Sequence, residues 1–320
     1  MKFLTLFAGA GGADIGLSAA GIEHVRCVEY DENAAATGRA AGFPVITGDV
    51  RDPRVYRDLP RIDGLWASPP CQDWSSAGKR KGANGDRNGW PWTWAVIDHL
   101  RRRGLGPDWF IAENVPGMLT HNGDACGTGC CADPARCPRT YFLEVIMPAV
   151  RERFAWVDWR ILDAADFGVP QFRRRVFIVA GPRPIDWPQP THGEPTKQFG
   201  LFGLLNPWSM MVDAVGACDL FGADPCAMDR PSPTVSAVGE CKGSGPGGNP
   251  EKMQRASDAL FLATGRRRLT VDECARLQDF PEDYPWQGTK TSIYRQIGNA
   301  VPPTLARVLG DAVMAKWGQR

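Results

Sequence analysis

The sequence predicts a doubly wound α/β domain, a mainly parallel sheet with helices on both faces, carrying a small irregular domain. Three observations lead there. Over residues 1–181, short apolar runs alternate with amphipathic or alanine-rich segments, a pattern that requires right-handed crossovers between parallel strands. A glycine turn, Phe7-Ala8-Gly9-Ala10-Gly11-Gly12, joins the first apolar run to the first helix-like segment, so the backbone there can approach a ligand closely. Over residues 182–264 the alternation dissolves among prolines and a glycine-rich patch at 243–248. The chain therefore reads as a large domain at 1–181, an irregular region at 182–264, and a return to the large domain at 265–320.

The apolar runs at 3–7, 24–29, 44–47, 64–67, 109–113, 155–162 and 175–180 are the expected strands, each short and bounded by polar or turn residues. Between them, 13–20 and 33–41 are alanine-rich, and 94–103 and 142–153 read as amphipathic helices. Thr270 followed by Glu273 forms a capping box that opens a helix over 269–278. Pro302-Pro303 opens the last helix, because proline suits a first helical turn.

At 43% hydrophobic and 23% charged residues, the 320-residue chain is globular in composition, which excludes disorder, coiled coil and collagen. Lys plus Arg is 37 against 36 for Asp plus Glu, a net +1, so a protein that coats nucleic acid through bulk charge is excluded. Any nucleic-acid contact needs a local basic patch. No apolar run reaches the roughly eighteen residues of a membrane span, so no membrane partner is expected. Residues 1–8 briefly resemble a signal peptide, but Gly9, Gly11, Gly12 and Asp14 interrupt the apolar stretch. Four of the ten cysteines crowd into 126–137 instead of spreading as a disulfide framework, and a cytoplasmic protein is expected.

The strand ends carry the chemistry. Glu29 ends the second run, where a carboxylate can hold both hydroxyls of a ribose. Asp49 follows the third run, within reach of an adenine amino group. Both could instead cap helices. Ser68-Pro69-Pro70-Cys71-Gln72 follows the fourth run: two prolines fix the backbone and set a thiol at a strand's carboxyl end. Its polar neighbours Asp73, Ser75, Ser76 and Lys79 favour a nucleophile over a packing cysteine. Glu113-Asn114-Val115-Pro116 closes the fifth run, where desolvation raises a carboxylate's pKa and lets it donate a proton. In Gln171-Phe172-Arg173-Arg174-Arg175, extended backbone puts Arg173 and Arg175 on one face, the alternative being a solvated cationic stretch. Arg101-Arg102-Arg103 reads as a solvated helix end whose cations suit the dipole.

With the late Arg268-Leu269-Thr270, Phe280-Pro281 and Gly298-Asn299-Ala300-Val301-Pro302-Pro303, these motifs resemble the ordered set of the C5 DNA-cytosine methyltransferases, over 1–181 and 266–320. The resemblance implies a Rossmann-like, S-adenosylmethionine-dependent methyltransferase sheet with a small irregular target-recognition domain at 182–264. It implies that Cys71 adds to C6 of a cytosine flipped out of double-stranded DNA, that Glu113 bonds N3 and the exocyclic amine, and that Arg175, supported by Arg173, holds O2. S-adenosyl-L-methionine would lie over Phe7, Ala8, Gly9, Gly11 and Gly12, with its ribose on Glu29 and its adenine near Tyr30, Asp49 and Val50. Pro70 would floor the pocket, and Asn299 and Ala300 would close the methionine end. Ser75, Lys79, Arg80 and Gln171 would contact DNA. The implied setting is a prokaryotic or phage-infected cytoplasm, with a monomeric enzyme that is either solitary or one half of a restriction-modification pair whose cognate endonuclease acts separately.

Residues 119–140 depart from that pattern. Cys126, Cys130, Cys131 and Cys137, with His121, could hold a structural zinc, although adjacent cysteines seldom both ligate one ion; a disulfide or free thiols are the alternatives. Two other functions were weighed. Against a tRNA cytosine methyltransferase stands the missing Cys-Phe-Thr signature expected of that branch, and against a silent DNA-binding regulator stand the intact Cys71, Glu113 and Arg175.

Overall fold

A computed structural model describes residues 1–70, 88–119, 140–194, 199–200, 203–215, 231–235 and 269–318. Its first half alternates β1 (Lys2–Leu6), α1 (Gly12–Ala19), β2 (Glu23–Glu29), α2 (Glu32–Ala40), β3 (Val45–Thr47), β4 (Gly64–Ala67), α3 (Trp90–Arg102) and β5 (Trp109–Asn114). Then follow α4 (Met147–Arg151), β6 (Trp156–Asp163) and β7 (Arg174–Gly181). Seven strands form one sheet in the order β3-β2-β1-β4-β5-β7-β6. All are parallel except β7, which runs against both β5 and β6. The cause is the connection at 164–173, shorter than the dozen or more residues a parallel crossover needs.

Side chains alternate across the pleat and give the sheet two cores. On one face Leu4, Leu6, Leu65, Phe110 and Ile178 pack with Trp94, Ile97 and Leu100 of α3. On the other, Phe3, Trp66, Trp109, Ile111, Phe177 and Val179 pack with Leu17 of α1 and Leu305 and Leu309 of the last helix. That last helix, Pro303–Trp317, lies against α1 so closely that a Cβ on Gly16 would sit 2.0 Å from the Pro303 carbonyl oxygen.

All seven expected strands are present, within a residue or so at each end. The helices needed more correction. The expected 94–103 helix starts at Trp90, with Pro91 in the first turn where its missing N–H costs nothing. The expected 142–153 helix opens as a π-turn, Phe142–Ile146, and becomes α-helical at Met147, next to Pro148, which cannot donate an i→i−4 bond. The Thr270 capping box forms as read, over Val271–Leu277. A helix at Lys290–Asn299, capped by the Thr289 side chain, was not anticipated. The described parts of 182–264 hold only two-residue strands and a short helix at Met211–Val215.

Arg101-Arg102-Arg103 is not simply a solvated end. Arg101 donates to the carbonyls of Arg153 and Pro107 and stacks on Phe154, and Arg103 donates to the Tyr56 carbonyl. Among the described residues no helix is long and apolar enough to cross a membrane.

Gly16→Ala tests the helix contact. The two atoms nearest the added methyl, Pro303 O and Arg307 N at 2.7 Å, are backbone and cannot swing away. A loss of about 3 kcal/mol is expected, seen as a lower urea midpoint at unchanged m-value. An unchanged midpoint would show that the helices are not in contact at this point.

Candidate active site

The strand order reverses between β1 and β4, and the carboxyl ends there open a crevice of the kind in which α/β sheets bind ligands. At its centre is the glycine turn. Phe7, Gly9 and Gly11 have φ of 56°, 57° and 90°, left-handed values that a side chain tolerates poorly. The Gly9 N–H donates to Glu29 Oε2 at 2.7 Å, and the Asp31 N–H donates to Oε1 at 2.8 Å, so one carboxylate at the end of β2 braces the turn. Burial pushes the Glu29 pKa up, against those two donors. A Cβ at Gly9 would meet nothing within 4 Å, which leaves open space above the turn. The turn is closed from the far end of the chain: Tyr284 Oη donates to the Ala10 carbonyl at 2.5 Å, and a Cβ on Gly12 would strike Val301 O and the Ala300 methyl.

Glu29 and Asp49 do not cap helices. Asp31 caps α2 and Asp52 caps the turn at Pro53–Tyr56. Asp49 is instead held by Arg51 through both oxygens, which lowers its pKa, and Arg51 lies over the Trp92 ring at 4.8 Å. Val50 is buried, its carbonyl accepting from Tyr56, while Tyr30 is 77% exposed at the rim of the crevice.

Beyond β4 the Asn114 side chain donates to the Pro69 carbonyl at 3.1 Å, and Pro69 and Pro70 pack against the bare α-carbon of Gly89. This fixes the chain two residues before Cys71. Cys71, Ser75, Lys79 and Arg80 lie outside the described residues, as do Cys126, Cys130, Cys131 and Cys137.

The antiparallel β7 has its amino end at the same edge as the carboxyl end of β5. That reversal sets Arg175 against Glu113, Nε to Oε1 at 3.0 Å, with both side chains nearly buried. The Ser68 side chain also hydrogen-bonds Glu113. Burial still pushes the Glu113 pKa up, outweighing Arg175, Arg173 and Ser68, each of which lowers it.

Arg173 and Gln171 lie deeper. Arg173 is 1% exposed and donates to the carbonyls of Val235, Gly298 and Ala300. Gln171 is 0% exposed; it donates to Leu277 O and Gln278 Oε1 and accepts from the Val235 N–H. Its amide is thus committed inside the protein, away from the DNA-contact role expected for it. Ala300 is buried and Asn299 exposed, both at the end of Lys290–Asn299, beside the glycine turn.

Residues 1–199 and 231–315 match the model of the C-5 cytosine-specific DNA methylases. The chain belongs to that family. It is 30% identical over 341 residues to the Type II methyltransferase M.NaeI of Lentzea aerocolonigenes, covering 98% of this chain and 75% of the relative. It is 31% identical over 347 residues to M.NgoMIV of Neisseria gonorrhoeae, covering 97% and 96%. Among solved structures, an Entamoeba histolytica methyltransferase, EhMeth, superposes with a TM-score of 0.64 at 14% identity, covering 100% of this chain and 99% of that one. A mutant of Spodoptera frugiperda DNMT2 does so at 0.63 and 19%, covering 98% and 99%. At those identities the likeness is one of fold, and it agrees with the Rossmann-like methyltransferase sheet expected from the sequence.

In this methylase the sequence reading missed Ser68, Asn114, Trp92 and Tyr284 as parts of the site. Ser68 and Asn114 sit inside motifs already singled out, so adjacency was their only signal. Tyr284 and Trp92 carry no local pattern that points at the turn or at Arg51.

Two variants probe the arrangement. Because burial raises the Glu113 pKa, the folded chain keeps a proton that the unfolded chain releases; this contribution to stability is full below the unfolded pKa of about 4 and is lost as pH rises through the folded one. Glu113→Gln has no such loss, so its stability relative to wild type should increase with pH across that window, measured by urea midpoints at several pH values. A pH-independent difference would mean that the carboxylate is not desolvated. Arg173→Lys replaces two guanidinium nitrogens, Nη1 on Val235 O and Nη2 on Gly298 O and Ala300 O, by a single one that cannot stand at both places, and a loss of about 3 kcal/mol or more in urea unfolding is expected; a loss below about 0.5 kcal/mol would contradict the buried bonds.

Proposed function

We propose that this methylase transfers a methyl group from S-adenosylmethionine to C5 of a cytosine within a short sequence of double-stranded DNA. The observation that carries this reading is the convergence of Glu113, Arg175 and Ser68 at the crevice, one loop away from Cys71. Cytosine C5 is a weak nucleophile. A Cys71 thiolate adding to C6 turns the ring into an enamine, whose C5 then takes the methyl carbon, and loss of the C5 proton with expulsion of the thiolate restores the double bond and frees Cys71. Glu113, whose pKa burial raises, can donate to N3 and accept from the exocyclic amine as charge develops. Arg175 offers its remaining guanidinium N–H groups to O2. The base reaches these groups only when flipped from the duplex, and Ser75, Lys79 and Arg80 are placed by the sequence to close over the gap.

The residues at the turn fit the cofactor, whose electrophilic methyl is the chemistry it supplies. Gly9 leaves room for it and Tyr30 offers an exposed ring for its adenine. Glu29 has lone pairs left for a ribose, and Val50, Pro70, Asn299 and Ala300 surround the same edge. Asp49, already held by Arg51, would have to share its carboxylate with the adenine amine. Residues 182–264 form the target-recognition region of the proposal; the relatives named Type II methyltransferases support a bacterial restriction-modification setting, and the proposal has the enzyme act as a monomer, with any cognate endonuclease separate. A structural zinc on Cys126, Cys130, Cys131 and Cys137 remains part of the proposal.

The test combines the purified protein, tritiated S-adenosylmethionine, duplex DNA of many sequence contexts and bulk tRNA. Label in DNA at C5, abolished by Cys71→Ser and reduced about 10²- to 10⁴-fold in kcat by Glu113→Gln, is expected. Label confined to tRNA, or label that survives Cys71→Ser, would overturn the reading.

A further inference from the structure

Behind the glycine turn, on the side away from the crevice, three potential metal ligands meet in the protein interior. Asp14 comes from α1, His24 and Cys27 from β2, and their ligand atoms lie within 4.8 Å of one another. Asp14 and Cys27 are 0% exposed and the His24 side chain 3%. One oxygen, Asp14 Oδ1, faces Thr5 Oγ1 at 2.6 Å, His24 Nδ1 at 3.2 Å and Cys27 Sγ at 3.5 Å. The other oxygen, Oδ2, is buried with no hydrogen-bond partner among the described residues.

Hydrogen bonding alone accounts poorly for this cluster. His24 presents Nε2 to the Asp14 backbone carbonyl at 3.0 Å and Nδ1 to the Asp14 carboxylate. Neutral imidazole has one N–H, so one of those contacts sets lone pair against lone pair unless the ring carries a second proton or a metal cation intervenes. A carboxylate free to choose would also share three donors between its two oxygens. Here all three crowd onto one while an equally buried acceptor goes without, at a cost of about 1–3 kcal/mol.

A metal cation relieves the first difficulty, by taking the Nδ1 and Oδ1 lone pairs that otherwise face each other, and accounts for the ligand atoms crowding on Oδ1. With zinc–oxygen and zinc–nitrogen bonds of about 2.0–2.1 Å and a zinc–sulfur bond of about 2.3 Å, the edges of a tetrahedral site run to roughly 3.3–3.5 Å. The O···N and O···S separations of 3.2 and 3.5 Å already match such edges. Thiolate, imidazole and carboxylate together suit zinc, whereas magnesium and calcium prefer all-oxygen sets. Thr5 Oγ1, 3.4 Å from His24 Nδ1, stands beside the fourth position.

We propose that Asp14, His24 and Cys27 form a structural zinc site that clamps β1, α1 and β2 behind the glycine turn. The ion would tie the strand that ends at Glu29 to the helix that starts at Gly12, and so hold both sides of the proposed cofactor pocket from the rear. Because every ligand is buried, the site loads as the chain folds, not by later exchange.

The test is metal content by plasma mass spectrometry on the full chain refolded with zinc and freed of loose metal by gel filtration. The other cysteine cluster is removed first, by replacing Cys126, Cys130, Cys131 and Cys137 with serine. One equivalent of zinc should remain in that protein and be lost in Cys27→Ala and, independently, in His24→Gln. With cobalt substituted for zinc, the retained equivalent should show the charge-transfer band of a single thiolate. No metal in the four-serine protein, or an equivalent that survives both Cys27→Ala and His24→Gln, overturns the proposal. Should the four-serine protein fail to fold, the same subtraction is made in the wild-type chain, where Cys27→Ala and His24→Gln must each lower the zinc content by one equivalent and an unchanged content overturns the site.

Discussion

The guanidinium of Arg173 is buried against the backbone carbonyls of Val235, Gly298 and Ala300, and three stretches far apart in the chain meet at that point. Taking such a cation out of water costs several kcal/mol. Three charge-assisted bonds at roughly 1.5–3 kcal/mol each offset that cost, helped by the Glu113 carboxylate close by. The bonds also close a ring. Arg173 holds Val235 O and Ala300 O, the Val235 N–H donates to Gln171, Gln171 donates to Gln278, and Gln278 donates back to Ala300 O. A closed ring of buried bonds is stiff, and it resists slippage of the last helices relative to the sheet.

The second constraint is the reversal at β7. Had β7 been parallel, Arg175 would lie at the opposite edge of the sheet from Glu113. The short link from β6 forces the antiparallel register, with Asn114 opposite Val176, and so brings a cation to a carboxylate that the strand itself has desolvated. A connection length in the sequence thereby becomes an ion pair in the crevice.

These two constraints separate what was legible from what was not. Strands showed as short apolar runs, most plainly the central β1, β4, β5 and β7, which are almost wholly buried, and the residues at strand carboxyl ends, Glu29 and Glu113 among them, followed from that placement. Helix boundaries were less legible, since Pro91 and Pro148 act through bonds they fail to donate and leave no mark in periodicity. The alternation that put Arg173 and Arg175 on one face is correct as geometry, yet it does not reveal that one meets a carboxylate and the other three carbonyls. Their partners stand more than sixty positions away in the chain, a separation at which local pattern carries no information. Gln171 shows the same limit: the resemblance implied a contact with DNA, while its bonds lie wholly inside.

Because the ring passes through both Val235 and Ala300, it links two regions that the proposed reaction treats as separate. Residues 231–235 lie within the stretch assigned to target recognition, and Ala300 packs on Gly12 at the glycine turn. Ser232 pairs with Gln171 beside it, its N–H donating to Pro170 O and its carbonyl accepting from Phe172. Any movement of the recognition region at Val235 must therefore either break a buried bond, at about 1–3 kcal/mol, or carry Arg173 with it. The second course displaces the backbone that closes the turn and perturbs the charge beside Glu113. A buried polar network of this kind stabilises the fold, and by the same bonds it makes the geometry of the proposed base pocket and of the proposed cofactor turn depend on each other.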